Sequence, residues 1–150
     1  MVRTAGNANR WAQAKRVHKM GLDCSHDAFH GAYSAFNRFR QAVAIAMGGS
    51  YPPHSDPALE DGVWYWGDGF SEKTNPGLYV FFMHSDCDGY IKASDCKKIA
   101  DELEALLPEI AKQGIGSGHI ERDGGLEAVT KRFIAGCRAA SAKKQKLKFG

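Results

Sequence analysis

The densest run of reactive side chains in the chain is His84-Ser85-Asp86-Cys87-Asp88-Gly89-Tyr90-Ile91-Lys92-Ala93-Ser94-Asp95. Asp86, Asp88 and Asp95 bring carboxylates into a short stretch that turns at Gly89, and Tyr90 adds a main-chain carbonyl just after the turn. Hard divalent cations such as Ca²⁺ take oxygen donors of this kind. A metal held there with a position open to water would also favour hydrolysis of phosphate esters, with Asp86, Asp88 and His84 as the working side chains. The competing reading is structural: Asp-Gly turn chemistry, and carboxylates that accept hydrogen bonds from the loop's own N–H groups.

Counted from His84, the stretch resembles the EF-hand calcium loop, with Asp86 third, Asp88 fifth, Gly89 sixth, Tyr90 seventh, Ile91 eighth and Asp95 twelfth. Four features depart from that pattern. His84 offers nitrogen where oxygen is needed, Lys92 carries a positive charge into the ninth place, and Asp95 is shorter than the usual bidentate glutamate. The preceding Gly77-Leu78-Tyr79-Val80-Phe81-Phe82-Met83 also reads as a strand where an EF-hand has a helix. The resemblance implies weak Ca²⁺ binding through Asp86, Asp88, Tyr90 and Asp95, in the ~10⁻⁴ to 10⁻³ M class.

Other constellations are sparser. His84-x-x-Cys87 with Cys96, and Cys24 with His26 and His30, lack the paired spacings of structural zinc sites. His26-Asp27-Ala28-Phe29-His30 is similar to the zincin H-E-x-x-H motif, which places two histidines on one helix face, but Asp27 is shorter than glutamate and Phe29 and Gly31 suit a core equally well. Serine, cysteine, histidine and aspartate are present without a G-x-S-x-G elbow. Gly114-Ile115-Gly116-Ser117-Gly118 lacks dinucleotide-fingerprint spacing.

The elements that must position these residues follow from hydrophobic period. Phe29, Ala32, Tyr33, Phe36, Phe39, Val43 and Met47 predict a helix over 27–47, capped by Ser25 or Asp27, or starting nearer Ser34 if Gly31 is not helical. Arg38 and Arg40 flank Phe39 and are expected to point outward. Pro52, Pro53 and Pro57 mark a loop over 50–62. Residues 63–66 and 78–84 read as strands that pair through the intervening loop. Cys96, Ile99, Ala100, Leu103, Leu107 and Ile110 predict a helix over 95–110, with Ser94 as N-cap, Asp95 in the first turn and Pro108 ending or kinking it. Glycines over 113–125 predict a mobile loop. Leu126, Val129, Thr130, Phe133, Cys137 and Ala140 predict a last helix over 126–141, and Leu147 and Phe149, alternating with lysines, a short edge strand over 146–149. The expected fold is α+β in a single domain over residues 20–150: three helices packed on a small, mainly antiparallel sheet.

At 150 residues, 43% hydrophobic and 25% charged, the chain is expected to build one core. Residues 1–19 hold Arg3, Arg10, Lys15, Arg16 and Lys19 without an acid and read as a disordered basic extension; Met20 is an alternative start to Met1. No apolar run spans a bilayer, which points to a cytoplasmic protein whose Cys24, Cys87, Cys96 and Cys137 stay as thiols.

Charge is segregated: residues 1–50 carry +5, residues 51–110 carry −8 and residues 111–150 carry +6. Either the basic ends neutralise the acidic middle, or they meet an anionic partner, nucleic acid or protein, with Lys143, Lys144, Lys146 and Lys148 as the densest group. Finally, the blocks Met20–Arg40, His84–Gly89 and Phe133–Ala140 resemble a group of small proteins encoded by bacteria and their phages. The resemblance implies a phage or prophage accessory protein and carries no activity with it. The reading is a non-enzymatic binding or regulatory module, with a metal-dependent phosphate-ester enzyme built on residues 84–95 as the alternative.

Overall fold

A computed structural model describes residues 21–49, 54–55, 64–65, 72–85, 88–113, 120–121 and 124–150. The basic extension, Asp86, Cys87 and most of the 113–125 glycine loop lie outside these residues. The chain is α+β, but with four helices of eight residues or more among the described residues and three two-stranded antiparallel ladders in place of a single sheet.

Strand β1 (Gly21–Asp23) pairs with β2 (His30–Ala32), Leu22 opposite Gly31, around a short 3₁₀ turn at Ser25–Asp27. Because His30 and Gly31 belong to this ladder, helix α1 starts only at Tyr33 and runs to Ala46. Neither Ser25 nor Asp27 caps it. It stops before Gly48-Gly49, where the Gly49 N–H returns to the Ala44 carbonyl at 2.8 Å. Strand β3 (His54–Ser55), in a segment expected to be loop, pairs with β4 (Trp64–Tyr65), the described part of the strand expected over 63–66.

The largest correction concerns residues 78–84, which are not a strand. Helix α2 spans Pro76–Met83. A short run of large apolar residues does not distinguish helix from buried strand; the deciding signals are Pro76 at the first helical position and burial of Leu78, Phe81 and Phe82 at helical spacing. The helix start is completed from outside. Glu102 accepts the Gly77 N–H at 2.7 Å and the Leu78 N–H at 3.0 Å, placing a carboxylate at the positive helix end.

Strand β5 (Tyr90–Ile91) leads into α3 (Ala93–Ala111), and after α4 (Gly125–Ala142) strand β6 (Leu147–Lys148) returns to pair with β5. Lys92, not Ser94, occupies the N-cap position of α3, while Asp95 does lie in its first turn. Pro108 neither ends nor replaces the last turn, which continues to Ala111. The proline sits on the exposed side of the helix, as does Glu104, whose carbonyl it leaves without an N–H partner.

The four helices, with β1, β5 and β6, contribute to one hydrophobic core. Phe36 is fully buried and has the ring centroids of Phe29, Phe39, Phe81, Phe133 and Phe149 within 6.0 Å of its own, mostly edge to face. Arg40, expected on the outside, is 2% exposed because it falls on the same stripe as Phe36 and Val43. Its guanidinium carbon lies 4.6 Å from the centre of the Phe36 ring, and Nη2 donates to the His84 carbonyl at 2.6 Å. Gly136 lets α4 press on the 24–30 segment: a Cβ there would come within 2.7 Å of the Ala28 Cα. Among the described residues, no helix is long and apolar enough to cross a membrane.

Candidate functional site

The acidic loop is entered from α2 and left through α3, so the chain around it is helix–loop–helix after all. Gly89 has φ +87°, the left-handed backbone its place in the turn demands. Ile91 is buried opposite Leu147, which turns Tyr90 and Lys148 outward together.

What occupies the inside of the loop is His84. Its Nδ1 lies 2.7 Å from the Ser85 carbonyl and its Nε2 lies 3.0 Å from the Tyr90 carbonyl, while the ring packs on Phe149 with centroids 4.4 Å apart. Both partners are carbonyls, which only accept hydrogen bonds. The residue in the first place of the loop therefore lies within hydrogen-bond distance of the very carbonyl that would ligate a cation from the seventh place. Lys92 brings a further positive charge, and Asp88 points into solvent with its N–H accepted by Ser85 Oγ at 3.3 Å. In this arrangement the His84 ring stands against the Tyr90 carbonyl, on the side from which a cation would take that carbonyl as a ligand. Asp95 is held in the first turn of α3, and Asp86 lies outside the described residues. Among the described residues, no three His, Cys, Asp or Glu side chains are grouped to hold a metal.

A second polar cluster forms where the sequence suggested a zincin-like motif. His26 and His30 do not share a helix face: one sits in the turn, the other in β2. His30 bridges Asp23 (Nδ1 to Oδ1, 2.8 Å) and Asp27 (Nε2 to Oδ1, 2.9 Å), and Arg132 of α4 donates to the Asp27 carboxylate and carbonyl at 2.6 and 2.9 Å. Arg132 first, and His30 second, hold the Asp27 carboxyl below the usual carboxylate range. His26 Nε2 meets Gln145 Oε1 at 2.8 Å, and Ser25 Oγ meets His26 Nδ1 at 2.9 Å while accepting the Lys148 N–H at 2.8 Å. His26 and Asp27 both have positive φ, +59° and +57°. These bonds hold that strained turn and fasten it to α4 and β6. The serine oxygen is thereby committed to the main chain of β6.

The described cysteines are buried thiols. Burial pushes Cys24 up to about 12, and Cys137 is raised by its contact with Cys96 and by burial. Neither thiol is a ready thiolate nucleophile.

The basic side chains of α4 and those around β5 and β6 differ in their partners. Those on α4 are answered from within: Lys131 by Glu127 at 2.9 Å, Arg132 by Asp27, and Arg138 by Asp101 at 3.1 Å and Glu104 at 2.5 Å. Lys143, Lys144, Lys146, Lys148 and Lys92 are exposed, and none of them makes an ion pair among the described residues. Tyr90, 47% exposed, lies among them, with Lys146 Nζ 4.1 Å from its ring centre. Tyr90 and Lys148 face each other across the ladder, and one step further that register sets Lys92 across from Lys146. In the sequence Tyr90 and Lys92 stand out only as parts of a cation loop. The signal for their shared outward face is the matching alternation Tyr90-Ile91-Lys92 and Lys146-Leu147-Lys148.

Comparison with protein families, curated proteins and solved structures finds no match.

Proposed function

We propose that this protein is a non-enzymatic binding module whose C-terminal basic face engages an anionic partner, in keeping with an accessory role in a phage or prophage. The observation that carries the reading is the division of basic residues: α4's are paired with Asp27, Asp101, Glu104 and Glu127, while the five lysines around β5 and β6 are not. Unpaired exposed ammonium groups on one ribbon keep their field for an external anion. Arg138 and Lys97 cancel at short range against Asp101 and Glu104.

Heparin chromatography of the full chain tests this. The variant K143Q/K144Q/K146Q/K148Q is expected to elute at clearly lower salt than the parent, and R132Q/R138Q at nearly the same salt. Co-elution of the quadruple variant with the parent would remove the proposal.

A further inference from the structure

Resting on the binding face proposed above, we infer that its ligand is single-stranded nucleic acid, held by stacking of a base on Tyr90 and by phosphate contacts from Lys92, Lys146 and Lys148. Tyr90 is the residue that separates this ligand from other anions. It projects from the outward side of a two-stranded ribbon, with its cross-strand partner Lys148 beside it and Lys146 over its ring at 4.1 Å. The carboxylates of an acidic protein surface use the ammonium groups of such a face but gain nothing from the ring face, which is itself the negative side of the quadrupole. Unpaired bases use both, because every base has a face that stacks on an aromatic side chain.

The spacing agrees. Alternate residues of a strand repeat at about 6.8 Å, so Lys146 and Lys148 match the step between successive phosphates of an extended nucleic-acid strand. A phosphate between them draws the Lys146 ammonium off the tyrosine, and the exposed ring face accepts a base in its place. The inward residues Ile91 and Leu147 fix the ribbon to the core, so the outward residues are presented on a rigid support. By the register, the exposed Asp88 lies beyond the Tyr90–Lys148 end of the ribbon, and Lys143 and Lys144 continue from the Lys92–Lys146 end. A bound strand therefore runs toward the end of α4, away from the acidic loop. Duplex is disfavoured, since its bases are stacked on one another and leave nothing for Tyr90.

The test is fluorescence anisotropy with the full chain and four labelled probes: a thymidine oligomer, an abasic oligomer with the same number of phosphates, a duplex, and a poly-glutamate peptide. The thymidine oligomer is expected to bind most tightly. Y90L should weaken it about ten-fold and leave the abasic probe within two-fold, and Y90W should restore the parent affinity; K146Q/K148Q should weaken every probe. Melting temperatures of the variants establish that each is folded. If Y90L leaves thymidine binding unchanged while K146Q/K148Q abolishes it, or if duplex or poly-glutamate binds as tightly, the single-strand inference falls and the anionic-partner reading stands. If no probe binds, both fall.

Discussion

Replacing Glu102 by alanine strips helix α2 of the acceptor for its first N–H groups. The carboxylate takes the Gly77 N–H at 2.7 Å and the Leu78 N–H at 3.0 Å, and both donor residues are buried, so neither N–H finds water easily once the acceptor is gone. Leaving a buried donor unsatisfied costs about 1–3 kcal/mol, and losing a negative charge at a helix N-terminus adds about 0.3–1 kcal/mol. Glu102 is half-buried, which lets some water in and places E102A near the lower end, about 2 kcal/mol for the two bonds together. E102Q keeps one acceptor oxygen and should cost about 1 kcal/mol. Urea denaturation followed by far-ultraviolet circular dichroism measures both variants, and the denaturant slope should stay that of the parent. If E102A falls within about 0.5 kcal/mol of the parent, α2 does not depend on this cap and the account of why residues 76–83 are helical is wrong.

Three further outcomes follow from the same geometry. G136V should destabilise the fold severely or prevent folding, because its added carbons would overlap Ala28, whereas G48A, where no atom lies within 4 Å, should cost only backbone strain at φ +83°; calorimetric melting temperatures compare them. The carboxyls of Asp27 and Asp101 are held below the ordinary range, by Arg132 with His30 and by Arg138 with Lys97 respectively, so their stabilisation is complete above about pH 4 and is lost as pH falls through the lower folded values; R132Q and R138Q should flatten that acid limb in a pH series of urea midpoints. H84D should convert the loop toward Ca²⁺ binding, raising the melting temperature in millimolar Ca²⁺ by several degrees where the parent shows no change; an unresponsive H84D would mean that His84 is not what keeps the loop from a cation.

How much was legible in the sequence depended on whether a segment carried a period. The stripes of α3 and α4 were read to within two residues because Ile99, Leu103 and Ile110, and Leu126, Val129, Phe133 and Cys137, repeat cleanly against charged neighbours. Residues 78–83 are apolar on nearly every side, so periodicity was silent and strand propensity misled; the proline at 76 and a capping carboxylate in another helix carried the answer. Arg40 is next to Phe39, which suggests an outward direction, but its spacing from Phe36 puts it on the buried stripe. In the acidic loop the glycine and the turn were evident, whereas the inward aim of His84 depends on Phe149, sixty-five residues away, against which its ring rests. The basic charges were visible as a count, and the i,i+4 pair of Glu127 with Lys131 is local, but the cancellation of Arg132 and Arg138 is set by the approach of α4 to the 24–30 segment and to α3, which no local pattern encodes.

The salt dependence of binding tests the central claim most directly. With the thymidine oligomer, log K plotted against log salt between about 50 and 200 mM should fall with a slope near −0.7 for each phosphate neutralised, hence about −2 to −3.5 for three to five engaged lysines. K146Q/K148Q should shallow that slope by about 1.4. A slope near zero, or one that those two substitutions leave untouched, would contradict the account.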